Sequence, residues 1–104
     1  MKQDKVLSLI GLATKAGNIA SGEFSTEKAV KEGKASLVIV ALDASDNTKK
    51  MFTNMCTFYN VPICFYELKT ELGHAMGKEI RASLAVIDKG FADAIIKKLD
   101  TKVE

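Results

Sequence analysis

Two short polar segments contain residues whose types and spacing could bind an anionic ligand. The first reads SGEFSTEK over residues 21–28, and it places a glycine and several polar side chains at the start of a predicted helix. A chain that opens from glycine into a helix presents unbonded backbone N–H groups, which bind anions. Lys28 is the only cation in this segment and is flanked by Glu23 and Glu27, so its charge is mixed rather than strongly positive.

The second segment, GKEIR, spans Gly77–Arg81 and joins a predicted short helix to a predicted buried strand. Arg81 is the only arginine among 15 Lys and Arg residues, and arginine is the side chain suited to bidentate and stacked recognition. Lys31 adds a cation one turn beyond Lys28. Both segments join secondary-structure elements, where binding sites are common. In an alternating α/β fold they could lie side by side, and two ordinary surface loops are the equally weighted alternative.

Composition limits what such a site could bind. The chain has 104 residues and a net charge of +2, which suits one domain over residues 1–104 but not a protein that coats duplex nucleic acid. Cys56 and Cys64 lack the spacing of a zinc site and are predicted to be free thiols, so we expect no metal or cofactor. The longest apolar run, LVIVAL, is too short to cross a membrane, and the N-terminal segment contains Asp4, unlike a signal peptide. We therefore expect a cytoplasmic protein.

Four candidate catalytic residues have simpler interpretations. Asp43 follows a buried strand, as functional carboxylates often do, but no spacing selects partner groups for it, and a structural cap is favoured. His74 has no partner carboxylate or cysteine beside it and is expected to be exposed. Ser25 and Thr26 lack an identifiable base, and hydroxyls at a helix start more often serve as caps. The sequence therefore does not predict an enzyme.

Hydrophobic periodicity predicts the elements that must position the two segments. Helical spacing and strand-like apolar runs alternate along the whole chain, and SLVIVAL and ASLAVI have the continuous apolar character of strands buried on both faces. The prediction is a three-layer α/β/α sandwich, with alternating helices and strands around a mixed four-stranded sheet. Predicted helix caps are Asp4, Ser45 or Asp46, and Asp88. The third helix is expected to direct an apolar stripe toward the core, formed by Met51, Phe52, Met55 and Phe58.

Both polar segments lie within longer stretches that resemble a known family. These stretches are GEFSTEKAVKEGKASLVIVALDAS, residues 22–45, and VPICFYELKTELGHAMGKEIRASLAVI, residues 61–87, of which LGHAMG is the most specific run. They resemble the L-seven-Ae ribosomal protein family of small α/β/α proteins that bind kink-turn RNA. The ASDNT and DKGFADAI runs are similar to a short bacterial branch of that family, and the resemblance covers nearly the whole chain.

The resemblance implies a mode of RNA recognition. In kink-turn binders, the helix after the corner glycine enters the widened groove at tandem sheared G·A pairs. An asparagine, a glutamate and a lysine there read the guanines and the backbone. A second loop, usually apolar with a central acid, covers the flipped-out nucleotide. Such a protein recognises RNA by its shape and its splayed bases.

The helix start matches this pattern in part. Gly22 matches the corner glycine and Lys28 matches the lysine, whereas Phe24 stands at the asparagine position and Ser25 at the glutamate position. Neither replacement makes the same hydrogen bonds. A phenylalanine could instead stack on a base or staple the start of the helix. The resemblance thus implies RNA docking here, with kink-turn selectivity left open.

The second loop also departs from the family pattern. Lys78, Glu79 and Ile80 occupy its apolar–acid–apolar positions, and Arg81 follows where a small residue is common. Arg81 adds a phosphate or stacking contact that the pattern does not require. The predicted RNA-binding residues are therefore Gly22, Phe24, Ser25, Lys28, Lys31, Lys78, Glu79, Ile80 and Arg81.

Two hypotheses of function follow. The first is a non-enzymatic RNA-binding protein, ribosomal or associated with the ribosome or translation, whose partner is structured RNA such as ribosomal RNA. Ribosomal proteins or translation factors are further expected partners, with no membrane and no small-molecule substrate. The alternative is a protein-interaction module on the same fold that has lost kink-turn recognition, motivated by Phe24 and the modest net charge.

Overall fold

The computed structural model describes the backbone of residues 4–103 and the side chains of residues 4–99. Helices and strands alternate along this range, as the periodicity predicts. The elements are α1 (Lys5–Lys15), β1 (Ile19–Ser21), α2 (Glu23–Lys31), β2 (Leu37–Val40), α3 (Asp46–Tyr59), β3 (Ile63–Phe65), α4 (Lys69–Ala75), β4 (Ser83–Val86) and α5 (Lys89–Val103).

The four strands form one mixed sheet in the order β1-β4-β2-β3. The β2–β3 pair is parallel, whereas β4 runs antiparallel to both β1 and β2. The central strands β2 and β4 are fully buried, as their continuous apolar sequences predict. The mixed four-stranded sheet is therefore confirmed, and it places the first and last strands side by side.

Helices cover both faces of the sheet, which confirms the three-layer sandwich. Helix α2 packs against α3, and α1 packs against α4 and α5. The buried side chains form one hydrophobic cluster that includes Ile10, Val30, Phe52, Leu72 and Ile95. Within the range that the structure describes, no helix combines the length and hydrophobicity needed to span a bilayer.

The predicted helix caps are found in the structure. The carboxylate of Asp4 accepts a hydrogen bond from the Leu7 N–H at 3.0 Å, and that of Asp88 accepts one from the Phe91 N–H at 2.9 Å. Ser45, rather than Asp46, caps α3. Each side-chain oxygen satisfies an N–H group that the first turn of a helix leaves unbonded.

The prediction that Phe58 faces the core is wrong. Its side chain is 77% exposed, whereas Phe52 and Cys56 are buried and Met51 and Met55 are partly buried against the core. Phe52 and Cys56 lie four residues apart and so share one face, but Phe58 is displaced from Cys56 by about 200° around the helix. Counting apolar residues along α3 therefore overestimated the width of its buried face.

Candidate functional site

The sheet brings the two polar segments together. Strand β1 leads directly into α2, and the loop after α4 leads into β4. Strands β1 and β4 are paired, with Ser21 opposite Leu84, and the Gly22 N–H donates to the Ser83 carbonyl over 2.9 Å. The two segments therefore lie side by side, an arrangement that the sequence left open, and the cause is the antiparallel pairing of these strands.

Gly22 forms the corner between β1 and α2. Its φ of 93° lies in the region that side chains with a Cβ rarely adopt, so glycine is required there. A Cβ placed on Gly22 would lie 3.8 Å from the Cδ and Nε atoms of Arg81, which shows that the arginine side chain passes beside the corner. Its guanidinium also donates to the Ile80 carbonyl over 2.8 Å. The only arginine of the sequence therefore lies at the junction of the two segments.

The first turn of α2 has no side-chain cap. Gly22 is the N-cap residue, and its carbonyl accepts from the Thr26 N–H at 2.9 Å. The expectation that Ser25 or Thr26 caps the helix is wrong, because both residues lie inside it. Thr26 is instead buried and accepts a hydrogen bond from the Ser83 hydroxyl at 3.4 Å. The helix start consequently presents N–H groups that no side chain of the helix occupies.

The outer face of α2 combines an aromatic ring with cations. Phe24 is 78% exposed, and it borders a shallow groove along the helix whose other walls are Glu27, Lys28, Lys31 and Glu32. Within the described residues Lys28 forms no ion pair, whereas Lys31 lies 2.7 Å from the Glu27 carboxylate. The hydrogen bond to Glu27 raises the pKa of Lys31. Of the two lysines, Lys28 is therefore the one whose charge is not already shared with a carboxylate of the described residues.

The second segment is held tightly against α4. Gly73 is buried, and a Cβ there would come within 2.5 Å of the Glu79 carbonyl oxygen. The Lys78 N–H donates to the Gly73 carbonyl at 2.7 Å, and the Arg81 N–H donates to the Lys69 carbonyl at 3.1 Å. This loop is thus fixed by backbone hydrogen bonds. Its side chains at positions 78–80 remain exposed.

Two exposed leucines lie at the same end of the sheet as the two polar segments, and the sequence analysis did not identify them. Leu42 follows β2 and is 52% exposed, and Leu68 precedes α4 and is 46% exposed. The Leu42 N–H donates to the Glu67 carbonyl at 2.7 Å, which joins the two loops that carry the leucines. Ile80, 53% exposed, belongs to the loop that enters neighbouring β4. The available signal was Leu42 at the end of the apolar LVIVAL run, but a leucine there is equally consistent with the end of a buried strand.

Asp43 has a structural role in this arrangement. Its carboxylate accepts a hydrogen bond from the Lys69 N–H at 2.9 Å, so it supports the start of α4 across the end of the sheet. His74 is exposed, as expected. No group of three or more His, Cys, Asp and Glu side chains in the described part of the chain is arranged to hold a metal ion.

The two cysteines are free thiols. Cys56 is buried and Cys64 is partly buried. Burial raises the pKa of each thiol to about 11. Since the thiolate is the reactive form, neither residue has the environment of a catalytic cysteine.

The sequence of this chain is similar to those of known proteins. The model of the ribosomal protein L7Ae/L30e/S12e/Gadd45 family matches residues 4–96. The chain is 42% identical over 92 residues to the RNA-binding protein YlxQ of Bacillus subtilis, covering 88% of this chain and 92% of that protein. It is 33% identical over 104 residues to the large ribosomal subunit protein eL8 of Halobacterium salinarum, covering 98% of this chain and 87% of that protein.

Solved structures of other proteins superpose on this chain. A Bacillus halodurans C protein with unknown function superposes with a TM-score of 0.91 at 37% identity, covering 94% of this chain and 99% of that one. The Giardia lamblia 15.5kD RNA binding protein superposes with a TM-score of 0.78 at 22% identity, covering 97% of this chain and 90% of that one, and shares the fold. The family match, spanning most of the chain, shows that this protein belongs to the ribosomal protein L7Ae/L30e/S12e/Gadd45 family.

Proposed function

We propose that this protein is a non-enzymatic RNA-binding protein whose RNA-docking surface consists of the helix start, Gly22–Lys28, and the loop Gly77–Arg81. The observation that carries the proposal is the joining of these segments at one corner, where the Gly22 N–H bonds to the Ser83 carbonyl and Arg81 passes beside Gly22. An uncapped helix start and cations on both segments suit a phosphate backbone. The family and the names of the YlxQ relatives support RNA as the ligand.

The preferred RNA within this proposal is a structured, kink-turn-like element, such as one in ribosomal RNA. Gly22 and Lys28 keep the positions of the family's corner glycine and lysine. The exposed apolar side chains Leu42, Leu68 and Ile80 offer an apolar surface at the same end of the sheet for a flipped-out base. A role at the ribosome or in translation belongs to the same proposal and is supported by the ribosomal relatives.

A protein-interaction module is the second candidate, and one observation favours it. Phe24 and Phe58 are 78% and 77% exposed, and aromatic side chains are enriched at protein interfaces. Copurification from cells, with and without ribonuclease treatment, distinguishes the two candidates. Partners that persist after ribonuclease treatment would favour this second function, and partners lost with the RNA would favour the first.

The first candidate is tested directly by titrating the protein against a fluorescently labelled kink-turn RNA. The matched control is the same RNA with its sheared G·A pairs replaced by Watson–Crick pairs, and both titrations are run at low and at physiological salt. We expect tighter binding to the kink-turn. Equal, salt-sensitive binding to both RNAs would retain RNA binding but contradict kink-turn preference, and no binding to either at low salt would contradict the proposed function.

A further inference from the structure

We propose that the outer face of α2 binds single-stranded nucleotides that adjoin the structured RNA element, with one unpaired base stacked on Phe24 and the following phosphates beside Lys28 and Lys31. This inference rests on the proposed function and specifies a second part of the same ligand. It concerns a feature that distinguishes this chain from its family pattern, because an asparagine is usual where Phe24 stands.

The position of Phe24 suits stacking. Its ring is 78% exposed at the second residue of α2, two residues beyond the corner glycine beside which Arg81 passes. The ring therefore buries little of its apolar surface within the fold. A staple at the helix start would bury it, so the exposure argues against that interpretation of the residue. A flat, solvent-facing ring next to an RNA surface is a stacking platform that accepts any base.

The groove beside Phe24 continues along α2. Lys28 lies one turn beyond the ring, about 6 Å along the helix axis, and Lys31 lies about 10 Å along it. Glu27 and Glu32 share the groove, but Glu27 is already engaged by Lys31 at 2.7 Å and Glu32 by Lys34 at 3.4 Å. Lys28 has no ion pair among the described residues, so its ammonium group can contact a phosphate.

This arrangement favours RNA over an apolar peptide as the occupant. A peptide segment would be expected to cover several neighbouring apolar side chains, but Phe24 is the only apolar residue that lines the groove in the described part of the chain. One ring with lysines one and two turns away is the combination that single-stranded nucleic acids use, in which bases stack and phosphates meet cations. Phe24, which lines the groove, lies two residues from the corner at Gly22.

The test compares the kink-turn RNA with and without a short single-stranded tail that carries a fluorescent base analogue. For the wild-type protein, we expect the tail to increase affinity by about tenfold and its fluorescence to be quenched by stacking. Phe24→Leu should lose both effects and Phe24→Trp should retain them, when each variant's affinity for the tailed RNA is compared with its own affinity for the blunt RNA. Phe58→Leu is the matched control, because Phe58 is 77% exposed on α3, and it should behave as wild type.

Several outcomes would overturn the inference. These are an unchanged tail effect in Phe24→Leu, an equal loss in Phe24→Leu and Phe58→Leu, or no gain in affinity from the tail in the wild-type protein. In each case binding to the blunt RNA would leave the proposed function intact, so the two failures are distinguishable. Loss of binding to both RNAs by the wild-type protein would overturn the proposed function and this inference together.

Discussion

The backbone of Glu79 lies against Gly73 so closely that a Cβ on the glycine would come within 2.5 Å of the Glu79 carbonyl oxygen and 2.9 Å of the Ile80 nitrogen. Gly73 is the glycine of the LGHAMG run, and it lies inside α4 rather than in a turn. Its role is therefore to let the Gly77–Arg81 loop pack directly on the helix. The path of that loop, and hence the position of Arg81, depends on the absence of a side chain at residue 73.

Replacing Gly73 with alanine should displace the loop. We expect Gly73→Ala to lower the free energy of unfolding by about 1–3 kcal/mol, as overpacking of a tight contact usually does, and to weaken RNA binding. Denaturant titration and RNA titration measure the two effects. Gly33→Ala is the control, because Gly33 has a φ of 74° but open space around it. It should lose stability through backbone strain and keep its RNA affinity. Equal RNA affinities in both variants would contradict this role of Gly73.

Removing Lys28, the cation of α2 that has no ion pair among the described residues, should weaken RNA binding and reduce its salt dependence. A lysine that contacts a phosphate releases counterions on binding, so Lys28→Ala should lower the slope of log K against log salt by about 1. Arg81→Ala should have a similar effect. Lys98→Ala, an exposed lysine on α5, provides the control and should leave the slope unchanged. If the Lys98 variant lost as much as the Lys28 variant, the RNA would be bound by general charge rather than at this surface.

Glu27 should reduce the contribution of Lys31 to RNA affinity. The ammonium group lies 2.7 Å from the Glu27 carboxylate, so part of its charge is neutralised before any RNA binds. Glu27→Gln is therefore expected to increase RNA affinity, whereas Lys31→Ala should reduce it less than Lys28→Ala does. The same titrations measure these variants. A larger loss for Lys31→Ala than for Lys28→Ala would show that the ion pair opens on binding.

The buried hydroxyls of Thr26 and Ser83 should be energetically coupled. They join α2 to β4 through a hydrogen bond of 3.4 Å, and both side chains are fully buried. Removing one partner leaves the other without it, so Thr26→Val and Ser83→Ala should each cost about 1–3 kcal/mol of unfolding free energy. The double variant should cost less than the sum of the two. Strict additivity in denaturant titrations would contradict the coupling.

Stability should fall in alkaline solution because of the two thiols. Burial raises the pKa of Cys56 and Cys64 from 9.0 to about 11, so the folded protein holds these protons more strongly than the unfolded chain does. Their contribution is complete below about pH 9 and is lost as the pH rises toward about 11. Denaturation midpoints measured across this range should decline, and Cys64→Ala should reduce the decline. An unchanged pH profile in that variant would contradict the effect of burial on the thiol.

Some features of the fold and the site could be predicted from the sequence and others could not, for physical reasons. Periodicity was sufficient for the alternation of elements and for the buried strands, because burial on both faces requires a continuous apolar run. Caps at Asp4 and Asp88 were predictable because a cap is a local interaction. The width of the buried face of α3 was not predictable, since whether Phe58 is buried depends on how α3 packs on the sheet. Leu42 and Leu68 were missed for the same reason.

The sequence by itself determined the elements, their order, the corner glycine and the family to which the chain belongs. Each of these depends on residue types over short distances, which a linear pattern records. Only the tertiary structure decided that Arg81 lies beside Gly22 and that Phe24 faces solvent. Those relationships depend on the β1–β4 pairing and on the packing of α2, which bring together residues far apart in the chain.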